Sequence, residues 1–475
     1  MSGIGPVPPD RFGSVRRETA LLIIVGVCLF SAVVASSLST GGHVSMDSMQ
    51  QLFEAQTDRS VSWNPPFMSA LFGVMGVSVE SGAGLATALF VAFVAFAFWF
   101  SALVVAASST GSRVSFPALA ACIALLLNPV LLLYAGIVWK DVLFAAITVL
   151  TLALALASLA SGSFAVRVAL AVAAAALVGL MPLVRQQGWV VGPIIGLLPV
   201  LALAWSAVHG RKRRAALAVL PVAVAIAAHI SAAHWSAAQV ADSAGKEMSV
   251  GFGSIKRFDL AGIEAYTSDG PLVRLGAPAA ALDEVRKNYT PERIDFLDQS
   301  PQLAAFLASR YESLTSDWWQ AIIQHPHAYL THRANVNAAL LGVHRPGACL
   351  PVHIGHDGFD HQINSLGLVR QIDVVDRALY QAVLPLFGTP IFKHWFYVGI
   401  GLFLLAVVVA RRSGRSRIVF LIAGSAIGLF YASFIPTAIA CDFRYLFPAI
   451  PFLTVVAVAL AFGWSEASAG KNENS

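Results

Sequence analysis

Residues 66–80 read PFMSALFGVMGVSVE, and whether they cross a bilayer decides the topology of the whole chain. The run is 15 residues long, and a helix needs about 20 apolar residues to span the hydrocarbon core. It is therefore read as an interfacial or re-entrant helix, and crossings are counted without it. The sequence around it is membrane-like. Of 475 residues, 57% are hydrophobic and only 12% charged, where a soluble domain carries about a quarter charged. Mean hydropathy is +0.72.

Apolar segments near 19–38, 83–107, 117–136, 141–160, 166–184, 189–206, 215–233, 395–411, 417–438 and 444–464 give about ten transmembrane helices. The expected fold class is an all-α polytopic membrane protein. No cleavable signal peptide is evident. The first segment follows Arg11, Arg16 and Arg17 and reads as a signal anchor with a cytoplasmic N-terminus. From there the chain returns to the cytoplasm at Arg113, Arg167, Arg211–Arg214 and Arg411–Arg417, and the tail with Lys471 also lands inside. Every clear basic cluster falls on one side, provided that 66–80 does not cross. The net charge of +5 sits largely in these orienting clusters, so it does not suggest nucleic acid.

Three parts follow from this register. Residues 1–234 form an N-terminal transmembrane module whose first outer loop spans 38–82. Residues 235–394 have soluble composition and are expected to form a mainly helical extracytoplasmic cap. Residues 395–475 hold the last helices and a cytoplasmic tail. Within the cap, Leu303, Phe306, Tyr311, Leu314, Trp318, Ile322 and Tyr329 recur at roughly helical spacing, with Pro326 as punctuation.

The same register gathers polar groups on the outer face. They are the loop GGHVSMDSMQQLFEAQTDRSVSWNPP (41–66), Trp139-Lys140-Asp141, Arg185-Gln186-Gln187 and Cys441-Asp442-Phe443-Arg444-Tyr445. Charges at membrane depth are costly and mark function or a water-filled cavity by default. Plainer readings exist for each. Asp47 could cap a helix, Lys140 and Arg185 could snorkel to headgroups, Lys140 could pair with Asp141, and Arg444 with Asp442. Trp63-Asn64-Pro65-Pro66 could be a rigid turn.

Cys28 and Cys122 lie within spans and read as packing residues. Cys349 and Cys441 both fall outside, where disulfides persist, and are predicted to pair; two free thiols are the alternative. HIGHDGFDH (353–361) offers His353, His356, Asp357, Asp360 and His361 as possible ligands for Zn or Mn. Its spacing matches no metal motif, so no metal site is assigned, although a divalent metal remains possible.

One outer carboxylate, several cations and an aromatic-rich cap suit transfer of a sugar from a lipid phosphate. Arg or Lys binds the phosphate and stabilises the leaving charge. A carboxylate takes the proton of the incoming hydroxyl, and aromatic faces suit a sugar. Neither a P-loop nor a Rossmann fingerprint stands in a suitable context.

The chain resembles the GT-C class of integral membrane glycosyltransferases, the superfamily of protein O-mannosyltransferases, bacterial cell-envelope glycosyltransferases and related polyprenyl-phosphate-sugar enzymes. The resemblance rests on Asp47 in HVSMDSMQQ, on Trp63-Asn64-Pro65-Pro66 and on Val138-Trp139-Lys140-Asp141. It rests also on His325-Pro326 with Tyr329 and Arg333, and on Asp442-Phe443-Arg444-Tyr445-Leu446-Phe447-Pro448. It implies a GT-C-like fold with Asp47 as general base and Arg444 as donor-phosphate ligand, supported by Arg185 and Lys140. Trp63 and Asn64 would shape the acceptor or sugar pocket, Tyr445 would contact sugar or lipid, and His325 would assist phosphate or acceptor. Glu54, two helical turns beyond Asp47 on the same face, and Asp141 join the substrate-binding set. Many members of the class carry two adjacent acids in the first loop. Here Ser48 follows Asp47, which weakens the case for a metal there.

The function expected is transfer of a sugar from a polyprenyl-phosphate donor to a hydroxyl of a cell-envelope glycan, lipid or protein. It would occur with inversion at the extracytoplasmic face of the plasma membrane. The rival readings are a lipid-linked-sugar transporter or flippase, and a glycan polymerase or ligase.

Overall fold

The computed structural model describes residues 13–38, 41–58, 64–77, 82–206, 211–240, 248–343, 349, 351–370 and 372–466. Among them, eight helices are long and apolar enough to cross a membrane: Arg17–Leu38, Gly82–Ser108, Phe116–Tyr134, Lys140–Ala160, Phe164–Val184, Ala215–Gln239, His394–Arg411 and Gly414–Ser433. Two shorter apolar helices, Gly188–Ala204 and Ala449–Ala461, accompany them. The chain is a multi-pass membrane protein. Helices suit that setting because each satisfies its backbone groups internally.

The Lys140–Ala160 helix sits at the centre of the bundle, with 89% of its apolar window buried. It packs against Gly82–Ser108, Phe164–Val184 and Ala449–Ala461. Ala145, Ala146, Ala153 and Ala155 are fully buried on it, and small side chains let backbones approach closely. The same device recurs at Gly179, where any Cβ would run into the carbonyl of Ala225 on the neighbouring helix.

The 66–80 stretch contains one helix, Phe67–Val74, of eight residues. At 1.5 Å per residue it is about 12 Å long, too short to span. It follows a second short helix, Met46–Thr57. Ser69 donates to the Glu54 carboxylate at 2.7 Å in a buried bond that clamps the two together.

Several boundaries differ from the sequence reading. The last apolar segment does not become helical at 444. Phe443–Tyr445 forms a single 3-10 turn and the helix begins at Ala449, because Pro448 disfavours helical backbone in the residue before it. Arg444 and Tyr445 therefore precede the helix. The 117–136 segment breaks at Asn128, whose side chain accepts from the Val130 N–H at 3.0 Å to start a second short helix at Pro129. The fold is also not strictly all-α. Ser14–Arg16 pairs antiparallel with Arg113–Ser115, a strand pair too short to leave a periodic signal.

That strand pair helps gather the basic clusters at one end of the bundle. Arg17 donates to the Ala107 carbonyl at 2.6 Å, the Gly111 N–H to Phe462 at 3.2 Å and Arg412 to Trp464 at 3.0 Å. At the opposite ends of these helices lie residues 41–47, 136–141, 185–187 and 441–446.

The polar region between the seventh and eighth expected spans is helical where described. Leu303 and Leu314 point into its core, whereas Tyr311 is exposed in the turn between the helices Pro301–Ser309 and Leu314–Gln324. The interior is organised around Asp259, which is fully buried. Arg333 lies 2.7 Å from its carboxylate, His332 3.1 Å, and Trp318 Nε1 donates to it at 2.7 Å. The region joins the bundle through Ile294 N–H to Ile439 O at 2.9 Å and Cys441 N–H to Glu292 O at 2.7 Å. A Cys349–Cys441 disulfide bridges 92 positions of sequence.

Replacing Asp259 with Ala leaves Arg333 and His332 buried without their anion. The expected loss is about 3–5 kcal/mol, read as a lower melting temperature of the detergent-solubilised protein and faster proteolysis within 248–343. An unchanged melting temperature would deny the network its structural role.

Candidate functional site

The first loop reaches its place by close backbone approach. Gly41 and Gly42 have φ of +88° and +76°, and a Cβ on Gly42 would meet the Val138 side chain at 2.8 Å. The next residues run as a rung between two other loops. His43 N–H donates to Gly136 O at 2.9 Å, and Val138 N–H returns a bond to His43 O at 2.9 Å. On the other edge Val44 N–H donates to Gly355 O at 2.9 Å and Asp357 N–H to Val44 O at 2.7 Å. The helix then starts at Met46 behind Ser45. Ser45 Oγ does not cap the helix; it accepts from Trp139 Nε1 at 2.6 Å. Asp47 stands in the first turn, where the helix dipole favours a negative charge.

The second component is the turn at Asp442–Tyr445. Arg444 Nη1 lies 2.6 Å from Asp47 Oδ2, and Nη2 lies 3.4 Å from Asp442 Oδ2. The guanidinium carbon sits 5.0 Å from the Trp139 ring centre and 5.6 Å from that of Tyr445, within cation–π range. Trp139 in turn meets Tyr134 edge-on, with ring centres 5.6 Å apart.

Arg185 and Lys140 complete the cluster. Arg185 is only 4% exposed. It is ion-paired with buried Asp141, donates to the Tyr445 carbonyl at 3.0 Å and lies 5.2 Å from the Phe434 ring. Lys140 donates to the Asn64 side-chain oxygen, and its charge reaches Asp47.

Burial alone would push the Asp47 carboxyl up, but Arg444 and Lys140, with Arg293 behind them, hold it below the ordinary carboxylate value. Burial works against the Arg444 cation, yet Asp47 and Asp442 drive its pKa well above normal. Both partners are therefore charged across the neutral range. The arrangement can exchange one anion for another at Arg444, and it keeps a carboxylate beside that exchange point.

The structure gathers Asp47, Arg444, Arg185, Lys140, Asn64, Asp141 and Tyr445. It does not bring in two other expected members. Glu54 is fully buried and committed to Ser69; the helical face shared with Asp47 turns into the protein one turn further on. His325 sits at the junction of the helices Leu314–Gln324 and Pro326–Leu341, where its charged neighbours are Arg274 and Asp269. Trp63 lies outside the described residues.

The His/Asp loop does not converge on a point. His356 bonds to the Val369 and Gly42 carbonyls at 3.1 and 3.2 Å, Asp360 pairs with Arg370 at 3.0 Å, and His361 stacks on Phe359. Among the described residues no three His, Cys, Asp or Glu side chains are grouped as metal ligands. What the loop does is hold Val44.

One contributor escaped the sequence reading: Arg293, from the polar region, adds its charge at Asp47, and no local motif marks it. His353, read in the sequence only as a possible metal ligand, lies with its ring 6.2 Å from that of Trp139. Burial depresses its pKa, with Arg444 adding to the effect.

Because the Asp47 carboxyl titrates below its unfolded value, its contribution to stability is full above the ordinary carboxylate pKa of about 4 and is lost as pH falls through the lower folded value. The melting-temperature difference between wild type and Asp47→Asn should be constant from pH 7 to about 5 and should shrink below about 4. A difference that collapses near neutrality would contradict the pairing. Glu54→Ala, by contrast, leaves a buried hydroxyl unsatisfied and should lower stability by about 1–3 kcal/mol; an unchanged melting temperature would show that the Ser69 clamp contributes nothing.

No family model and no curated protein matches the chain. Solved structures of the Archaeoglobus fulgidus oligosaccharyltransferase are similar to it. The complex of AglB with an inhibitory peptide and a dolichol-phosphate aligns at 15% identity and a TM-score of 0.42, over 92% of this chain and 50% of that one. The apo form aligns at 15% identity and 0.41 over the same shares. The complex with Zn and sulfate aligns at 15% identity and 0.40, over 92% and 48%. The chain thus spans about half the length of the solved structures it matches.

Proposed function

We propose that the chain is a GT-C-class glycosyltransferase. It would take a sugar from a polyprenyl-phosphate donor and pass it to a hydroxyl of an envelope glycan, lipid or protein at the extracytoplasmic face. The observation that carries this reading is the contact between Asp47 and Arg444. A first-loop carboxylate and a guanidinium from the loop before the last helix meet at the polar end of the bundle, with Trp139 against the guanidinium and Lys140 nearby. The basic clusters at the other end support placing that end in the cytoplasm. Residues 1–234 and 395–475 would hold the donor in the plasma membrane, and 235–394 would cover the site.

In this reaction the donor phosphate replaces Asp47 on Arg444, which is also the group that receives the leaving charge. The freed carboxylate takes the proton of the acceptor hydroxyl. The acceptor oxygen bonds to the anomeric carbon as the bond from that carbon to the phosphate oxygen breaks. Polyprenyl phosphate leaves with the electron pair, and one direct displacement inverts the anomeric centre. Lys140 adds charge beside Asp47. Arg185 is a positioning residue, because it is buried and its Nη1 is given to Asp141 and the Tyr445 carbonyl. Asp141 serves the site by holding Arg185.

The test uses purified wild type, Asp47→Asn and Arg444→Gln, with radiolabelled polyprenyl-phosphate sugars and envelope acceptors. Asp47→Asn should lose transfer by about 10²–10⁴-fold, the usual range for a general base. It should still bind polyprenyl phosphate at least as tightly as wild type, since Arg444 is then released from its carboxylate. Arg444→Gln should lose that binding. Full transfer by Asp47→Asn would sink the base assignment. A wild type that moves labelled lipid between leaflets and transfers nothing would make the protein a transporter.

A further inference from the structure

Residues 438–442 belong to no helix and pair with the rest of the protein only at a few backbone positions, and 443–445 make a single turn. Buried carbonyls outside regular structure still need donors. Here two buried carbonyls and one partly buried are met by side chains from three distant segments. Arg333 Nη1 donates to Ala438 O at 2.7 Å in a buried bond. His394 Nε2 lies 2.8 Å from Phe443 O, also buried. Arg185 Nη1 donates to Tyr445 O at 3.0 Å. With a carbonyl as partner, the His394 Nε2 must carry the proton.

His394 is fully buried at the first position of the His394–Arg411 helix. Its ring stacks on Phe443 with centres 4.0 Å apart. The carbonyl it holds belongs to the peptide unit joining Phe443 to Arg444. His394 thus fixes the peptide plane on the N-terminal side of Arg444, as Arg185 fixes the carbonyl of the following residue. The 3-10 turn ties this stretch only to itself, whereas His394 ties the Phe443 carbonyl to another helix. The side chain that must aim at an anion is aimed by a donor from a membrane helix.

We propose that His394 is a positioning residue for Arg444, acting with Arg185 and Arg333 as a three-point clasp on the 438–445 carbonyls, and that it sets the affinity of the site for a phosphate group. The inference rests on reading Arg444 as the phosphate ligand. Its mechanism is orientation. A guanidinium already directed at the phosphate gives up less freedom on binding than one on a loose turn.

The experiment measures binding of a polyprenyl monophosphate to the full chain in lipid nanodiscs, for wild type, Arg444→Gln, His394→Phe and His394→Gln, with melting temperatures alongside. Phe keeps the ring against Phe443 and removes the donor; Gln restores a donor without the ring. His394→Phe should bind about tenfold more weakly, the scale of one lost hydrogen bond, and His394→Gln should recover most of that. A merely structural role would lower the melting temperature of both variants and leave affinity unchanged. If Arg444→Gln loses binding while folded His394→Phe binds like wild type, the clasp is overturned and the reading of Arg444 stands. If Arg444→Gln also binds like wild type, that reading falls and the clasp with it. Should His394→Phe fail to fold, Arg333→Lys keeps a charge for Asp259 and draws the donor away from Ala438. Weakened binding there supports the clasp and unchanged binding overturns it.

Discussion

A guanidinium taken largely out of water must have its charge returned by its neighbours. Arg444, with a side chain 17% exposed, has it returned by two carboxylates from opposite ends of the chain, Asp47 and Asp442. At an effective dielectric well below that of water such contacts are strong, and losing one of them strands a charge. This requirement pulls the first loop and the loop before the last helix onto a common point. The supporting structure follows from it. The Val44 rung holds the first loop between Gly136–Val138 and Gly355–Asp357, and Trp139 lies beneath the guanidinium while bonding Ser45.

The bundle supplies the rigidity that this meeting needs. Lys140–Ala160 is buried along its length by small residues that let its neighbours approach. It delivers Lys140 and Asp141 from its first turn. Asp141 then holds Arg185, and Arg185 holds Tyr445. Two arginines flank the Tyr445 ring, each with its own carboxylate. The inner pair is closed off from water and organises. The outer pair is half-open and can exchange partners.

What the sequence made legible divides along a physical line. Spans and basic clusters were readable because hydrophobic length and loop charge act locally. Asp47 and Arg444 were readable only as members of an ordered set of weak motifs, since nothing in either neighbourhood says that they touch. Glu54 misled for a similar reason. Helical periodicity correctly puts residues 47 and 54 on one face, but it does not know that Ser69 waits on the next helix. His325 looked like part of a motif and sits instead beside Arg274 and Asp269. Arg293 and His394 gave no signal, because one acts by charge across the fold and the other by a bond to a carbonyl 49 positions away. The strand pair at Ser14–Arg16 was too short to show a period.

A carboxylate held by a guanidinium is a weak base, and that bears on how the proposed reaction could work. Asp47 as it stands is ionised but stabilised in that form by Arg444 and Lys140, so it has little tendency to take a proton from a hydroxyl. An anionic donor on Arg444 would compete for the same donors and place a second negative charge next to the carboxylate. Both effects raise its proton affinity. The base would then gain strength only when the leaving group is in place. The reverse follows from linkage, because whatever protonates Asp47 must also favour anion binding at Arg444. The closed ion pair is thus compatible with the proposed catalysis: in that reading the carboxylate paired with Arg444 is the one that the donor phosphate would release.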